Sequence, residues 1–208
     1  QATRVAEAYP FPYTHFDNID FGTVKGFSFG YDLRRRNNVS FTASYTLQFA
    51  DGTGSSSTTA QQLVNDGFPN LRTTLPLDFD QRHNITANID YRYGFGRNYK
   101  GPIIFGRQIL EGVGANLVLS AGSGRPYSQQ SNVLAVAQFG VNTRSTLEGS
   151  VNGAREPWTF RADLRVNKKI KFKISEERNL GLNVYMMVEN LLNADNIVNV
   201  YRYTGNAD

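Results

Sequence analysis

The sequence has no cysteine. That excludes a disulfide scaffold and any thiolate metal centre. Histidine is nearly absent too, and the two present, His15 and His83, lack ligand spacing. No apolar run approaches the roughly 18 residues of a transmembrane helix, and the first residues do not read as a secretory signal peptide. Charge of one sign is not abundant. The net charge is +4 and no arginine-rich helical stretch stands out, so nucleic acid is not an expected partner. Gly122-Ser123-Gly124 lacks the lysine and following helix of a phosphate loop. No serine, histidine and aspartate fall in a triad context. The chain is therefore not read as an enzyme, and no catalytic residue, metal site or cofactor is expected.

What is present is alternation. Trp158, Phe160, Ala162, Leu164, Val166, Ile170, Phe172 and Ile174 share one parity, with Lys168 the exception among them. Arg161, Asp163, Arg165, Asn167, Lys169 and Lys171 occupy the other. A period of two is a strand signature, and this run is longer than the 3–10 residues usual in globular strands. After Ser175–Asn179, read as a turn, the pattern resumes at Leu180 and the stretch continues to Tyr203. If Ile174 faces Leu180, then Phe172 meets Leu182, Ile170 meets Val184, Val166 meets Val188 and Arg165 meets Glu189.

Four earlier runs alternate similarly: Ile19–Arg34, Val39–Phe49, Ile85–Tyr93 and Val113–Ala121. The first two predict a hairpin with a three-residue loop, Arg36-Asn37-Asn38, pairing Leu33 with Phe41, Phe29 with Tyr45 and Phe27 with Leu47. Asparagine suits such loops because it tolerates the left-handed conformation. Residues 1–18 hold Pro10 and Pro12 and read as a loop or strand tail. Residues 51–76 lack periodicity and read as a flexible loop.

The fold class is thus all-β, an antiparallel sheet of about six long strands. Connection lengths run short (36–38), long (51–76), medium (94–112), long (126–157) and short (175–179). Short turns at one end and long loops at the other is the asymmetry of outer-membrane barrels. A mean hydropathy of −0.42 is compatible with that, because half of each barrel strand is polar. Basic residues gather at the short end: Arg34, Arg35, Arg36, Arg97, Lys100, Arg107, Lys168, Lys169, Lys171, Lys173 and Arg178. Only Glu111, Glu176 and Glu177 oppose them there. A basic rim suits anionic headgroups, although turns are polar in any protein.

Three local sequences carry a family resemblance. They are Pro76-Leu77-Asp78-Phe79-Asp80-Gln81-Arg82-His83, then Gly122-Ser123-Gly124-Arg125-Pro126-Tyr127, then Val188-Glu189-Asn190-Leu191-Leu192-Asn193. In their order and placement at strand ends they resemble the C-terminal part of the barrel of TonB-dependent outer-membrane receptors, over about residues 19–205. The resemblance implies a fragment of an antiparallel transmembrane β-barrel in the bacterial outer membrane, with residues 206–208 starting a truncated outer loop. The family's plug and final strand are expected outside this sequence. The implied function is TonB-dependent uptake of a scarce or bulky nutrient. Implied partners are outer-membrane lipid, the plug domain of the same receptor and a TonB-type energy-coupling protein, with a surface lipoprotein as a further candidate. Two alternatives stay open. One is a structural, adhesin-like or secretion-associated barrel that binds a protein partner through its long loops. The other is a soluble β-sandwich binding module.

In the barrel reading Asn88, Asp90, Arg92, Arg161, Asp163, Arg165 and Glu189 face the lumen. Asp78, Asp80, Arg82 and His83 form an outer rim, as a salt-bridged loop anchor in preference to a cation site. Tyr45, Phe49, Tyr91, Tyr93, Trp158 and Phe160 face outward as interfacial girdles.

Overall fold

The computed structural model describes residues 2–5, 13–16, 20–56, 58, 73–131, 147–175 and 178–207. Its strands are β1 (Ala2–Val5), β2 (Tyr13–Phe16), β3 (Gly22–Arg36), β4 (Val39–Gly52), β5 (Leu75–Pro76), β6 (His83–Arg92), β7 (Val113–Gly122), β8 (Pro126–Tyr127), β9 (Ala154–Arg155), β10 (Thr159–Ser175) and β11 (Arg178–Val188). Six of them form one antiparallel sheet in the order β11-β10-β7-β6-β4-β3, with β5 added beside β4. The sheet is open, with β3 and β11 at its two ends along this path. β1 pairs with β2, and β8 with β9, as separate two-stranded ribbons. Ile19, expected to open the first long strand, lies outside the described residues.

The β3–β4 register is the expected one: Leu33 opposite Phe41, Phe29 opposite Tyr45 and Phe27 opposite Leu47. The loop differs. It has two residues, Asn37 and Asn38, both with positive φ (49° and 75°), which matches the right-handed twist of a hairpin. The odd offset that suggested a third loop residue is instead absorbed by an irregularity between Leu33 and Arg36.

The β10–β11 register is a correction. Phe172 pairs with Leu180, Ile170 with Leu182, Lys168 with Val184 and Val166 with Met186. Each expected pair is displaced by two residues. Both strands run into the expected turn, to Ser175 and from Arg178, with a register shift after Lys173. A slip of one residue would invert the faces, whereas a slip of two preserves them. The hydrophobic pattern is blind to that difference. Arg165 accordingly lies opposite Met187, not Glu189.

The last strand is also shorter than expected and ends at Val188. Asn190 and Asn193 take positive φ, 51° and 47°. The Asn190 side chain closes the turn, donating to the Ala194 carbonyl (3.1 Å) and accepting from the Ala194 N–H (3.0 Å). The chain then follows β10 without becoming a strand. Asn196 uses its side-chain amide to pair with both backbone groups of Phe160, at 2.7 and 2.8 Å.

Pairing registers carry each parity across the whole sheet. One row reads Phe29, Tyr45, Ile85, Ala121, Phe160. Another reads Leu33, Phe41, Ile89, Leu117, Leu164, Val188. This face is apolar and uncovered: Phe27 and Phe29 are 60% and 57% exposed, and Met186 is 61% exposed. Among the described residues only Ala50, Leu77, Ala162 and Val200 are buried hydrophobics. A soluble domain of this size normally builds a core from such a face. Here the apolar side chains point away from the rest of the molecule.

Candidate functional site

The opposite face is polar and internally connected. The rows read Ser28–Thr46–Asn84, then Asp32–Thr42–Asn88–Val118–Asp163, then Ser40–Asp90–Asn116–Arg165. Asn88, Asp90, Arg92, Arg161, Asp163 and Arg165 therefore share one face. Glu189 joins it from the end of β11 through Arg161 Nη2 (3.1 Å), whose Nε binds Asp163 at 2.8 Å. Arg161 is thus the partner of Glu189 that had been expected in Arg165. Arg165 lies over the Tyr185 ring at 4.5 Å. Asn116 donates to Asn88 (2.7 Å), and Ser44 and Thr86 share a hydrogen bond of 2.7 Å. Asp90 pairs with both Arg35 and Arg92. An exposed face of hydroxyls, amides and charges offers hydrogen-bond partners to water and polar solutes.

At the long-loop end, Asp80 is the largest fully buried side chain among the described residues, 1% exposed. Its carboxylate accepts the Ala50 N–H at 2.8 Å and pairs with the Arg155 guanidinium, while Arg82 Nε stands 3.7 Å away. Arg155 also donates to the Asp80 carbonyl. Asp78 belongs to a second knot. The Asn152 amide donates to Asp78 Oδ1 (2.7 Å) and to the Pro76 carbonyl (2.8 Å), and Ser55 accepts the Asp78 N–H (2.9 Å). The two carboxylates thus serve different partners and share no site.

His83 parts from this cluster. Its parity puts it on the apolar face beside Leu47, where its ring stacks between Tyr45 and Trp158, centroids 6.1 and 5.4 Å away. Its Nδ1 hydrogen-bonds the Tyr45 hydroxyl at 2.9 Å. Its backbone N–H donates to Ser123 Oγ, and its carbonyl accepts the Ser123 N–H. The first two motifs are therefore neighbours in space. The third lies against β10 nearby, its Leu191 N–H donating to the Ala162 carbonyl at 2.6 Å, and the chain just after it reaches Phe160 through Asn196.

Gly124 shows how closely these segments pass. A Cβ there would sit 1.7 Å from the Glu156 carbonyl oxygen. We expect Gly124→Ala to cost roughly 1–3 kcal/mol by overpacking, read as a lower urea midpoint. Gly30→Ala is the control, because a Cβ at Gly30 meets nothing within 4 Å, and it should change the midpoint little.

The aromatic side chains form two groups. Tyr45, Phe49, Trp158 and Phe160 lie toward the long-loop end, with Arg82 5.2 Å from the Phe49 ring centroid. Tyr91, Tyr93 and Tyr99 lie toward the short-turn end, with successive centroids at 5.1 and 5.6 Å. At the short-turn end Lys168 Nζ donates to the Ile109 carbonyl (2.8 Å), and Lys171 Nζ sits 4.1 Å from the Phe95 ring centroid.

Arg155 and Asn152 were not singled out by sequence, and Ser123 stood there only as a member of the Gly122–Tyr127 motif. Their partners lie 40 to 75 residues away, and no local pattern points to them. Compared with known proteins, the chain matches no family model, no curated protein and no solved structure.

Proposed function

We propose that this chain is a wall segment of a transmembrane β-barrel in the bacterial outer membrane, and that the barrel belongs to a TonB-dependent receptor taking up a scarce or bulky nutrient. One observation carries the membrane half: an uncovered sheet face that is apolar across six strands and bounded by two aromatic groups. From His83 to Tyr93 the chain advances ten residues, about 33 Å along a strand at ~3.3 Å each. Tilted by about 40°, that is a band about 25 Å tall, the height of the lipid-facing zone of outer-membrane barrels. Lipid is the partner that this face fits. The polar face then becomes the lumen wall, and the edges of β3 and β11, which no described strand pairs, are where further strands join, since an open edge does not persist in hydrocarbon.

The receptor half rests on the three motifs, two of which meet at the long-loop end while the third lies against β10 nearby. Under this reading that end faces outward, the plug contacts the polar face, and the energy-coupling protein acts on the plug. The hydrogen bonds and ion pair that tie the described bases of the long loops favour, as a second reading, a barrel that presents this end to a protein partner.

Trp158 is the only tryptophan and is 55% exposed at one aromatic belt. Reconstituted in vesicles, its emission should be quenched by lipids brominated near the headgroup, and less by lipids brominated at the acyl terminus. A chain that stays monomeric in buffer without detergent, with Trp158 unquenched, would sink the membrane reading. The transport half is checked separately, in the coding sequence upstream of Gln1, where the absence of a plug domain would remove it.

A further inference from the structure

We propose that the polar face carries, near the short-turn end, a binding pocket for a phosphate-bearing anion. The pocket has a volume of about 290 Å³ and is lined by Arg35, Arg92, Lys100 and Lys169 together with the amides of Asn38 and Asn98. No carboxylate lines it. A second depression of about 350 Å³ adjoins it, shares Arg92 and Lys169, and adds Arg165 and the carboxylate of Asp90. Together the two are lined by Arg35, Arg92, Lys100, Arg165 and Lys169 against Asp90 alone, a track with a cationic excess.

The surrounding charges do not cancel this excess. Asp90 pairs with Arg35 and Arg92 and, among the described residues, is the one acid beside the pocket that touches its cations. Glu111 is engaged with the Gly96 N–H at 2.6 Å. Lys171 is held over Phe95. The ammonium groups of Lys100 and Lys169 find no acceptor among the described residues. Arg92 Nε is buried and likewise has no hydrogen-bond partner there. The Arg92 side chain is 39% exposed, and its guanidinium keeps donors beyond the one given to Asp90. Guanidinium forks bind phosphate oxygens in pairs, lysine adds point charge, and asparagine amides supply further donors. Rings and rows of Arg and Lys are also how anion-selective pores are built. The size is that of a small-ligand pocket at its lower limit. It admits a phosphate with a small attached group.

Three elements assemble the pocket: the β3–β4 turn, the connection after β6, and the middle of β10. Arg35, Lys100 and Lys169 were legible in the sequence only as part of a basic end, and Arg92 only as a residue of the polar face. Their convergence follows from the pairing of β4 with β6, β6 with β7 and β7 with β10. The inference stands on this pocket and does not depend on the lipid reading of the opposite face.

The test is calorimetric titration of pyrophosphate into the full chain in neutral detergent. Wild type and Arg161→Gln, which alters the far end of the polar face, should bind alike. Arg92→Gln and Lys169→Gln should each bind at least ten-fold more weakly, and wild-type affinity should fall with added salt. Retained far-ultraviolet circular dichroism in both variants separates lost binding from lost folding. Absence of binding to wild type, or equal affinity in all four proteins, would overturn the proposal. Repeating the titration with phosphatidylglycerol added to the micelle distinguishes the source of the phosphate. Competition supports a headgroup ligand, and unchanged binding supports a free solute.

Discussion

Asp80→Asn is expected to lower the free energy of unfolding by about 3–5 kcal/mol, the range for breaking a buried ion pair by removing one partner. The reason is the arrangement around the carboxylate. Asp80 is 1% exposed and Arg155 only 22% exposed, so the guanidinium left behind has little water to turn to. Asparagine can still accept the Ala50 N–H, so the loss isolates the charge. With a denaturant slope near 2 kcal/mol per molar, the urea midpoint should fall by about 1.5–2.5 M. Trp158, stacked on His83 beside this cluster, reports the change by fluorescence. Arg161→Gln removes two exposed pairs instead, to Asp163 and Glu189, and should move the midpoint far less. A midpoint for Asp80→Asn equal to that of Arg161→Gln would show that the long-loop end is held by something else.

The second large effect separates the two faces. Ala87 lies in the apolar row with Tyr31, Ala43, Leu119 and Ala162, about midway between the aromatic belts. In a lipid-covered wall, Ala87→Arg should cost about 2–4 kcal/mol, the penalty for arginine at the bilayer midplane on a barrel strand. Asn88→Arg, the next residue but on the polar face, should cost only a few tenths of that. If the apolar face is in water, both substitutions should fall within about ±0.5 kcal/mol. Folding both variants into vesicles and measuring their unfolding free energies decides between these outcomes. The contrast between neighbours is the informative quantity, because a general effect of arginine on β6 would appear in both.

The pattern of the chain was enough to locate the six long strands, to divide their residues between two faces, and to set the β3–β4 register. It could do so because side chains alternate across a strand, so parity alone assigns the face. It also grouped Asn88, Asp90, Arg92, Arg161, Asp163 and Arg165, which the registers place on one surface. The same logic explains where it stopped. Parity cannot see a shift of two residues, so Ile170 was matched with Val184 when its partner is Leu182. Nor can it see where a strand ends if apolar residues continue, as they do after Val188. There the decision lay with Asn190, whose positive φ and side-chain hydrogen bonds turn the chain.

What only the tertiary structure decided are the contacts between segments distant in sequence. Arg155 reaches Asp80 from the short strand β9, and Asn152 reaches Asp78 and Ser123 reaches His83 from loops, with nothing in their local sequences to name these partners. His83 looked like a member of the charged rim, yet parity carried it to the aromatic side, away from Asp80. Lys100 and Lys169 converge with Arg35 and Arg92 because three strand pairings bring their elements together. Periodicity is a local property and specifies faces. A pocket or a buried ion pair is fixed by the closing of loops, and the side chains that meet there carry no mark of each other in the sequence.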